Sequence, residues 1–454
     1  MTNLQPATTG AGANFEPVNG RQSSVPIFLS DLLLAVVLLA AFGVLFWFGS
    51  KKIGISRLPV ALIVPPLLIA GLVLYLPASP LHVSGDGQGY EVWGYAISDS
   101  WVGVAAQVAD RPLWPGKGFW PLIIALFHSI VGPVTISLIV FNTTVFGATV
   151  LALQKSVLLL TGKNTRWSMV IVVLSSTPFI LFGPSLLRES MFWLGTSGGV
   201  LALSYLRSNK IGLALASVSW GSFLLLAVRP DAGVVLVYAF LGVTTVLVGL
   251  LGSTRSALRR IIAVAILGAL AVSAPQALDF VRPGTGPQFI DTTMRALSKP
   301  LVTTGTWSRP ETNTLSSDDT GTGILAVVQD TCEKTLVVKV ACEAWRNLPY
   351  ALVGPFYWEY GPESIWIISG LSTLHFLILA GLSVVYLATR GGRNWVTAGI
   401  MGVATVSLVM FASMMTNYGV LIRFRAATEI VLLPLAIAGY FAVVAKWKAV
   451  KVAS

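Results

Sequence analysis

Charged residues are scarce in this chain of 454 residues: Asp, Glu, Lys and Arg together make up 11% of it, whereas hydrophobic residues make up 55%. A soluble protein carries charge on about a quarter of its residues. The chain therefore has too little polar surface to cover a water-soluble fold, and its mean hydropathy of +0.78 agrees. Because backbone groups in lipid must be satisfied within the protein, the composition predicts an all-α fold, a polytopic bundle of transmembrane helices.

Cysteine is almost absent, since the chain has only Cys332 and Cys342, both in its longest polar segment. If that segment lies outside the cell, the closeness of the two thiols favours a disulfide, because such bonds persist in oxidising compartments. Two unpaired thiols are the alternative, and two cysteines alone are too few for a structural zinc site. The three histidines, His82, His128 and His375, are scattered and are assigned no role.

Motifs that bind nucleotides are missing, because the chain has neither a P-loop nor a glycine-rich turn between a strand and a helix. The net charge of +11 does not indicate nucleic-acid binding. Its basic residues lie in short clusters between apolar runs, not along a stripe with interleaved aromatics. Residues 1–26 are polar and predict a disordered tail, unlike a signal peptide, and residues 27–454 are expected to form one transmembrane domain.

Long apolar runs divide most of the chain into candidate membrane spans, each about 17–25 residues long. About eleven such runs occur, at residues 27–49, 58–77, 133–154, 167–185, 190–206, 211–228, 232–252, 261–280, 364–388, 395–416 and 428–446. The apolar segment 119–131 is short for a span and favours a re-entrant or interfacial helix. If it crossed the membrane, the count would be twelve.

Six basic clusters predict the orientation of the chain. They are Lys51/Lys52/Arg57, Lys155/Lys163/Arg166, Arg207/Lys210, Arg255/Arg259/Arg260, Arg390/Arg393 and Lys446/Lys448/Lys451. All six share one side if the N-terminus is outside and segment 119–131 does not cross. By the positive-inside rule that side is cytoplasmic, so the C-terminus is expected in the cytoplasm and the loops 78–118 and 281–363 outside.

The stretch VSGDGQGYEVWGYAISDSW, residues 83–101, combines a glycine-rich acidic turn with a stripe of large residues. The stripe consists of Tyr90, Trp93, Ile97 and Trp101. Three- and four-residue steps predict an amphipathic helix, and its aromatic residues favour a position flat on the outer membrane surface. The glycines allow a sharp turn that holds Asp86 just before this helix. Asp86 either caps the helix or acts as a catalytic base.

Arginines occur at three outer connections, against the positive-inside trend. The segments are PSLLRESMFW with Arg188 and Glu189, AVRPDAG with Arg229 and Asp231, and NYGVLIRFRAATE with Arg423 and Arg425. A guanidinium group can hold phosphate through two parallel hydrogen bonds, although a local ion pair between Arg188 and Glu189 is the alternative at the first segment. Mid-span positions look apolar or small and polar, whereas a transport path is expected to place charges there.

A late aromatic and acidic patch contains Tyr357, Trp358, Glu359 and Glu363. Sugars stack on aromatic faces, so the patch is a candidate acceptor groove; an aromatic belt at the membrane interface is the alternative. Together with the acidic turn and the outer arginines, it suits a lipid-linked phosphosugar, which has an apolar tail, a phosphate at the interface and a sugar in the water.

Four segments carry a family resemblance: SGDGQGYEVWGYAISDSW, GKGFWPLIIALFHSIVG, SSTPFILFGPSLLRESMFW, and PFYWEYGPESIWI with NYGVLIRFRAATEIVLLP. In these the chain resembles bacterial integral-membrane glycosyltransferases of the GT-C type and related O-antigen-polymerase-like proteins. The resemblance implies a GT-C-like fold in the bacterial plasma membrane. It also implies transfer of a sugar from a polyprenyl-phosphate donor to a glycan or glycolipid acceptor outside the cytoplasm.

The resemblance further implies roles for particular residues. Asp86 would act as base or position the acceptor, with Glu91 a weaker candidate, and Arg188 and Arg423 would bind the donor phosphate. From their own positions, Arg229 and Arg425 are added to the phosphate ligands, and Glu189 and Asp231 to the acceptor-positioning residues. No cofactor is expected, since the family often has two neighbouring acids where GDG has one; a divalent metal is the alternative. A repeat-unit polymerase and a lipid-linked glycan flippase or transporter are the alternative functions.

Overall fold

The computed structural model describes residues 29–75, 90–91, 93–94, 97–98, 119–132, 135–251, 348–349, 351–353, 365–414 and 418–453. Within these ranges the chain forms helices joined by short turns and contains no strand. The main helices are α1 (Leu29–Ile53), α2 (Leu58–Tyr75), α3 (Phe119–Val131), α4 (Thr135–Thr161), α5 (Trp167–Leu174), α6 (Thr177–Phe182), α7 (Glu189–Arg207), α8 (Ile211–Val228), α9 (Pro230–Leu251), α10 (Ile365–Ala388), α11 (Trp395–Met414) and α12 (Tyr418–Ala453).

Six of these helices are long and apolar enough to cross a membrane: α1, α4, α8, α10, α11 and α12. Helices α2, α3 and α9 contain shorter apolar stretches. The prediction of an all-helical membrane protein is confirmed. The predicted count of about eleven spans is not, and the predicted span 261–280 lies outside the described residues.

The predicted span 167–185 is two short helices, so the prediction of one continuous span was wrong. Helix α5 ends at Leu174, and α6 begins at Thr177 with Pro178 in its first turn. Proline has no N–H to donate to the preceding turn, and Ser176 has an extended backbone. The hydropathy of the sequence stays high across this break, because its few serines do not lower the average of an apolar window enough to mark a boundary.

The predicted last span, 428–446, begins too late. Helix α12 extends over 36 residues from Tyr418 to Ala453 and includes Arg423, Arg425 and Glu429. The predicted start of this span was set at these charged residues, because they were expected to lie in an outer connection. They lie inside the helix because groups on neighbouring helices satisfy them.

Helices α4 and α12 form the centre of the bundle. Of their most apolar windows, 78% and 72% of residues are buried by protein, compared with 11% for α1 at the periphery. Beside α4, the rings of Phe146, Phe179 and Trp193 pack together with centroids 5.3–5.6 Å apart. This aromatic cluster joins α4, α6 and α7.

Helices α7 and α8 approach each other closely through glycine. A Cβ atom added at Gly221 would lie 2.6 Å from the carbonyl oxygen of Gly195 and 3.3 Å from the carbonyl carbon of Gly198. Real side chains do not approach a backbone atom so closely, so the two helix backbones touch at this point only because glycine is present.

The connections carrying basic residues meet at one end of the bundle, here called the basic end. Lys155 donates to the carbonyl oxygen of Ile53 at 2.7 Å, and Arg207 donates to that of Gly391 at 3.1 Å. The hydroxyl of Tyr386 also donates to the carbonyl oxygen of Leu160. Lys163 lies 5.6 Å from the centre of the Phe441 ring, five residues before Lys446. Five of the six predicted basic clusters thus lie at this end, whereas residues 255–260 are outside the described ranges. The assignment of this end to the cytoplasm stays a prediction.

Candidate functional site

The opposite end of the bundle brings together helix ends that are far apart in the sequence. Glu189 is the first residue of α7, and Arg188 precedes it at the end of the turn 183–188. Arg229 lies between α8 and α9, and Arg423 lies in the second turn of α12. We call these four residues the arginine cluster and this end of the bundle the arginine end.

One carboxylate oxygen stands at the centre of the arginine cluster. Glu189 Oε1 lies 3.3 Å from Nη1 of Arg229 and 3.6 Å from Nη1 of Arg423. The side chains of Glu189 and Arg229 are 2% and 7% exposed, and that of Arg423 is 17% exposed. Glu189 Oε2 and Arg229 Nε are buried with no hydrogen-bond partner among the described residues. The cluster therefore retains unused donor and acceptor capacity in a site shielded from water.

The third guanidinium group, that of Arg188, is bonded to the backbone next to Arg229. Arg188 Nη1 donates to the carbonyl oxygen of Val228, the residue before Arg229, at 3.0 Å. The cluster therefore holds three formal positive charges and one negative charge, a net charge of +2 for these four side chains. Each guanidinium also lies over an aromatic ring: Arg188 over Tyr90 at 5.9 Å, Arg229 over Phe424 at 4.9 Å and Arg423 over Phe182 at 5.2 Å. The rings restrict the guanidinium planes and lower the local dielectric.

The turn before Arg188 is fixed by side chains from two other helices. Asn142 of α4 donates from Nδ2 to the carbonyl oxygens of Ser185 and Leu187, and the second of these bonds is 2.9 Å long. Between them, the carbonyl oxygen of Leu186 accepts from Nε1 of Trp120 in α3 at 2.9 Å. Three consecutive carbonyls of a non-helical segment are thus satisfied, which fixes the point where Arg188 leaves the chain.

The described part of the predicted surface helix packs on protein. Residues 90, 91, 93, 94, 97 and 98 are helical. Ile97, a member of the predicted stripe, is only 2% exposed, and the backbone at Gly94 lies against Ile124 of α3. At Ile97 the expectation of a side chain facing lipid was wrong, whereas Tyr90 and Trp93 of the stripe are partly exposed. Glu91 accepts a hydrogen bond from Thr135 at the start of α4, so it is held beside that helix.

Arg425 lies apart from the arginine cluster. Its Nε donates to the carbonyl oxygen of Ala351 at 3.1 Å, and its Nη1 donates to Oγ1 of Thr373 at 2.7 Å. Two residues along a helix correspond to a rotation of about 200°, so Arg423 and Arg425 point to opposite sides of α12. Arg425 ties segment 351–353 to α10 and α12.

The other predicted site residues are not placed by the structure. Asp86, Cys332, Cys342, Tyr357, Trp358, Glu359 and Glu363 lie outside the described residues. Asp231 lies in the first turn of α9, and its side chain is outside the described part. Within that part, no group of three His, Cys, Asp or Glu side chains is arranged to hold a metal ion.

A second polar group lies in the interior of the bundle, and sequence analysis missed it. Glu429 Oε2 is 3.1 Å from Nδ1 of His375 and accepts a hydrogen bond from Oγ of Ser176, also at 3.1 Å. The expectation that mid-span positions are apolar was therefore wrong. The only local signal is a glutamate in the run AATEIVLLPLAIAG, and it does not indicate a histidine 54 residues earlier.

Comparison of the chain with family models, with curated proteins and with solved structures gave no match.

Proposed function

We propose that the protein is a membrane glycosyltransferase, which moves a sugar from a polyprenyl-phosphate donor to a glycan or glycolipid acceptor of the cell envelope. The observation that carries this proposal is the arginine cluster at the ends of apolar helices: Arg229 and Arg423 pair with the Glu189 carboxylate, and Arg188 is bonded to the backbone of the residue before Arg229. A lipid-linked phosphate would place its anion at this level of the bundle while its tail stays in the lipid.

The chemistry of the cluster suits a leaving phosphate. As the acceptor oxygen bonds to the anomeric carbon, the bond from that carbon to the phosphate oxygen breaks, and its electron pair remains on the phosphate. Fixed guanidinium groups stabilise this charge strongly where water is excluded. The buried Nε of Arg229, which has no partner within the described part of the chain, is a donor available to the phosphate. The acceptor proton would pass to a carboxylate, and Asp86 is the proposed base.

The phosphate site is tested by the binding of undecaprenyl phosphate, compared with undecaprenol, to the full chain in lipid nanodiscs. Arg229→Lys and Arg423→Lys should each weaken phosphate binding about 10- to 100-fold, because a hydrogen bond to a charged group contributes about 1.5–3 kcal/mol. Undecaprenol binding should not change. Arg207→Lys is the matched control, since Arg207 donates to a carbonyl at the basic end.

Equal loss of binding in the Arg207→Lys control, or equal affinity for the phosphate and the alcohol, would contradict the phosphate site. The transfer step is tested separately with membranes that carry a labelled pool of lipid-linked sugars. Asp86→Asn should abolish the movement of label from lipid to glycan while leaving phosphate binding intact. Label appearing as a ladder of repeat units would assign the related activity of a repeat-unit polymerase.

A flippase or transporter is the second candidate, and the pair Glu429–His375 is the observation that favours it. Charged side chains inside a membrane bundle are costly and often mark the path of an ion or substrate. A transporter would move labelled lipid-linked sugar from one face of a proteoliposome to the other without forming a new bond. Formation of glycan product in the same vesicles would exclude this candidate.

A further inference from the structure

The interior polar group joins three elements of the bundle. Glu429 lies in α12, His375 is the eleventh of the 24 residues of α10, and Ser176 stands in the break between α5 and α6. Glu429 and Ser176 have no exposed surface, and His375 is 6% exposed. On the side of α6, the ring of Phe179 packs against the ring of His375 in a T-shaped contact, with the two centroids 6.3 Å apart.

The break between α5 and α6 creates an acceptor for His375. The backbone N–H of Ser176 donates to Val173, three residues back, so it does not donate to Val172 as it would in a continuous helix. The carbonyl oxygen of Val172 instead accepts from the hydroxyl of Ser175 and lies 3.0 Å from Nε2 of His375. A carbonyl oxygen can only accept, so Nε2 carries a hydrogen.

The other side of the imidazole requires a second hydrogen. Nδ1 of His375 faces Oε2 of Glu429 at 3.1 Å, and this contact is favourable only if a proton lies between the two atoms. The proton belongs either to an imidazolium beside a carboxylate or to a carboxylic acid beside a neutral imidazole. Both arrangements contain one proton more than a neutral imidazole with a carboxylate, and both leave the pair with no net charge.

Burial also favours the state in which the pair holds the shared proton. Without the shared proton the pair would carry a net negative charge in the interior, where an uncompensated charge is costly. Glu429 Oε1 is buried and has no hydrogen-bond partner among the described residues, so the protein does little to stabilise a lone carboxylate there. The carboxylate instead depends on the hydroxyl of Ser176 and on the proton shared with His375.

We propose that His375 and Glu429, held against the break between α5 and α6, form an intramembrane site that binds and releases one proton. The site is separate from the arginine cluster, since Glu429 lies six residues, about 9 Å along the helix axis, beyond Arg423. This proposal does not depend on glycosyl transfer.

Few other charges act on the pair in the described part of the chain. Arg425, one turn before Glu429, is bonded to Ala351 and Thr373, and Glu189 is held in the arginine cluster. The described residues of α5, α6 and α11 include no ionisable side chain. The ionisable side chains Lys155 of α4, Tyr386 of α10 and Lys446 of α12 lie toward the basic end, as do Tyr205 and Arg207 of α7. A proton signal from the interior should therefore depend on His375 and Glu429 together.

Infrared difference spectroscopy of the full chain in lipid nanodiscs tests the proposal, with a titration from about pH 5 to pH 10 that covers the range in which histidine changes charge. The unmodified protein should show a one-proton step with both carboxyl and imidazole bands. Glu429→Gln and His375→Gln should each abolish the coupled step, because either change leaves a single group that can produce only one of the two bands. His128→Gln is the matched control, since His128 is also buried but lies in α3, and it should leave the step unchanged.

The double variant Glu429→Gln/His375→Gln removes both charges, so it avoids the instability of a single unpaired buried charge. It should also lack the step. Ser176→Ala removes a hydrogen bond but neither titratable group, and the step should persist. A step that survives in the double variant, disappears in the His128→Gln or Ser176→Ala protein, or is absent from the unmodified protein would overturn the proposal.

Discussion

Asn142 determines the geometry of the arginine cluster without touching it. Its amide donates to the two carbonyls that flank Leu186, and Arg188 follows directly after this segment. Polar hydrogen bonds between membrane helices contribute about 0.6 kcal/mol on average, but a carbonyl left buried without a donor costs about 1–3 kcal/mol. A residue that satisfies two carbonyls at once is therefore important for both stability and the position of Arg188.

Asn142→Leu, which keeps the branched shape and the number of side-chain heavy atoms and removes both donors, should lower the free energy of unfolding by about 1–3 kcal/mol. Thermal melting in detergent measures this change, and undecaprenyl phosphate binding should weaken as well because Arg188 is displaced. Thr143→Val is the control at the next position, since Thr143 donates only to Ile139 of its own helix. If both variants melt alike, Asn142 has no special role in holding the turn.

The residues of the arginine cluster could be predicted, but their contacts could not. Arg188, Arg229 and Arg423 stand out in the sequence because they depart from the positive-inside trend. Nothing in the sequence shows that Glu189 forms ion pairs with both Arg229 and Arg423, or that Arg425 points to the other side of α12. Those facts depend on how helices 40 to 234 residues apart along the chain are packed.

Helices were predictable where polar residues end an apolar run on both sides. Helix α8 has the predicted bounds, because Lys210 precedes it and Arg229 with Pro230 follows it. The prediction failed at the break between α5 and α6 and at the start of α12. At the break between α5 and α6, the helix is interrupted although the hydropathy of the sequence stays high. At the start of α12, buried charges lower the hydropathy although the helix continues.

The glycine contact between α7 and α8 leads to a prediction about these two helices. Gly221→Ala should destabilise the bundle, because the new methyl group would lie 2.6 Å from the carbonyl oxygen of Gly195 and force the helices apart. We expect a loss of about 1–3 kcal/mol, as for overpacking elsewhere, measured by thermal melting.

Gly212→Ala is the control in the same helix, since no atom lies within 4 Å of a Cβ added there. It should be neutral or stabilise slightly, because alanine favours helix over glycine. If Gly221→Ala melts no lower than Gly212→Ala, the close contact between α7 and α8 is not required for stability.

At the scale of the whole molecule, the basic end and the arginine end should face opposite compartments. In a protein whose Cys332 and Cys342 are replaced by serine, a cysteine at Lys210 should react with a membrane-impermeant maleimide only after the membrane is opened. A cysteine at Ile130, 84% exposed in α3, should react in intact cells. The reverse pattern would invert the orientation, and labelling of both positions from one side would contradict the assignment of the two ends to opposite compartments.

Helix α12 carries two arginines and a glutamate, and each of them is bonded to groups that precede it in the sequence. Arg423 pairs with Glu189, Arg425 bonds to Ala351 and Thr373, and Glu429 bonds to Ser176 and His375. An arginine or aspartate at the centre of an isolated helix costs about 2.5–3.5 kcal/mol during insertion at the translocon. When α12 leaves the ribosome, however, all of these partners have already been synthesised. Helix α12 can therefore enter the membrane against a folded template, and a chain cut before residue 418 would leave Glu189 without Arg423.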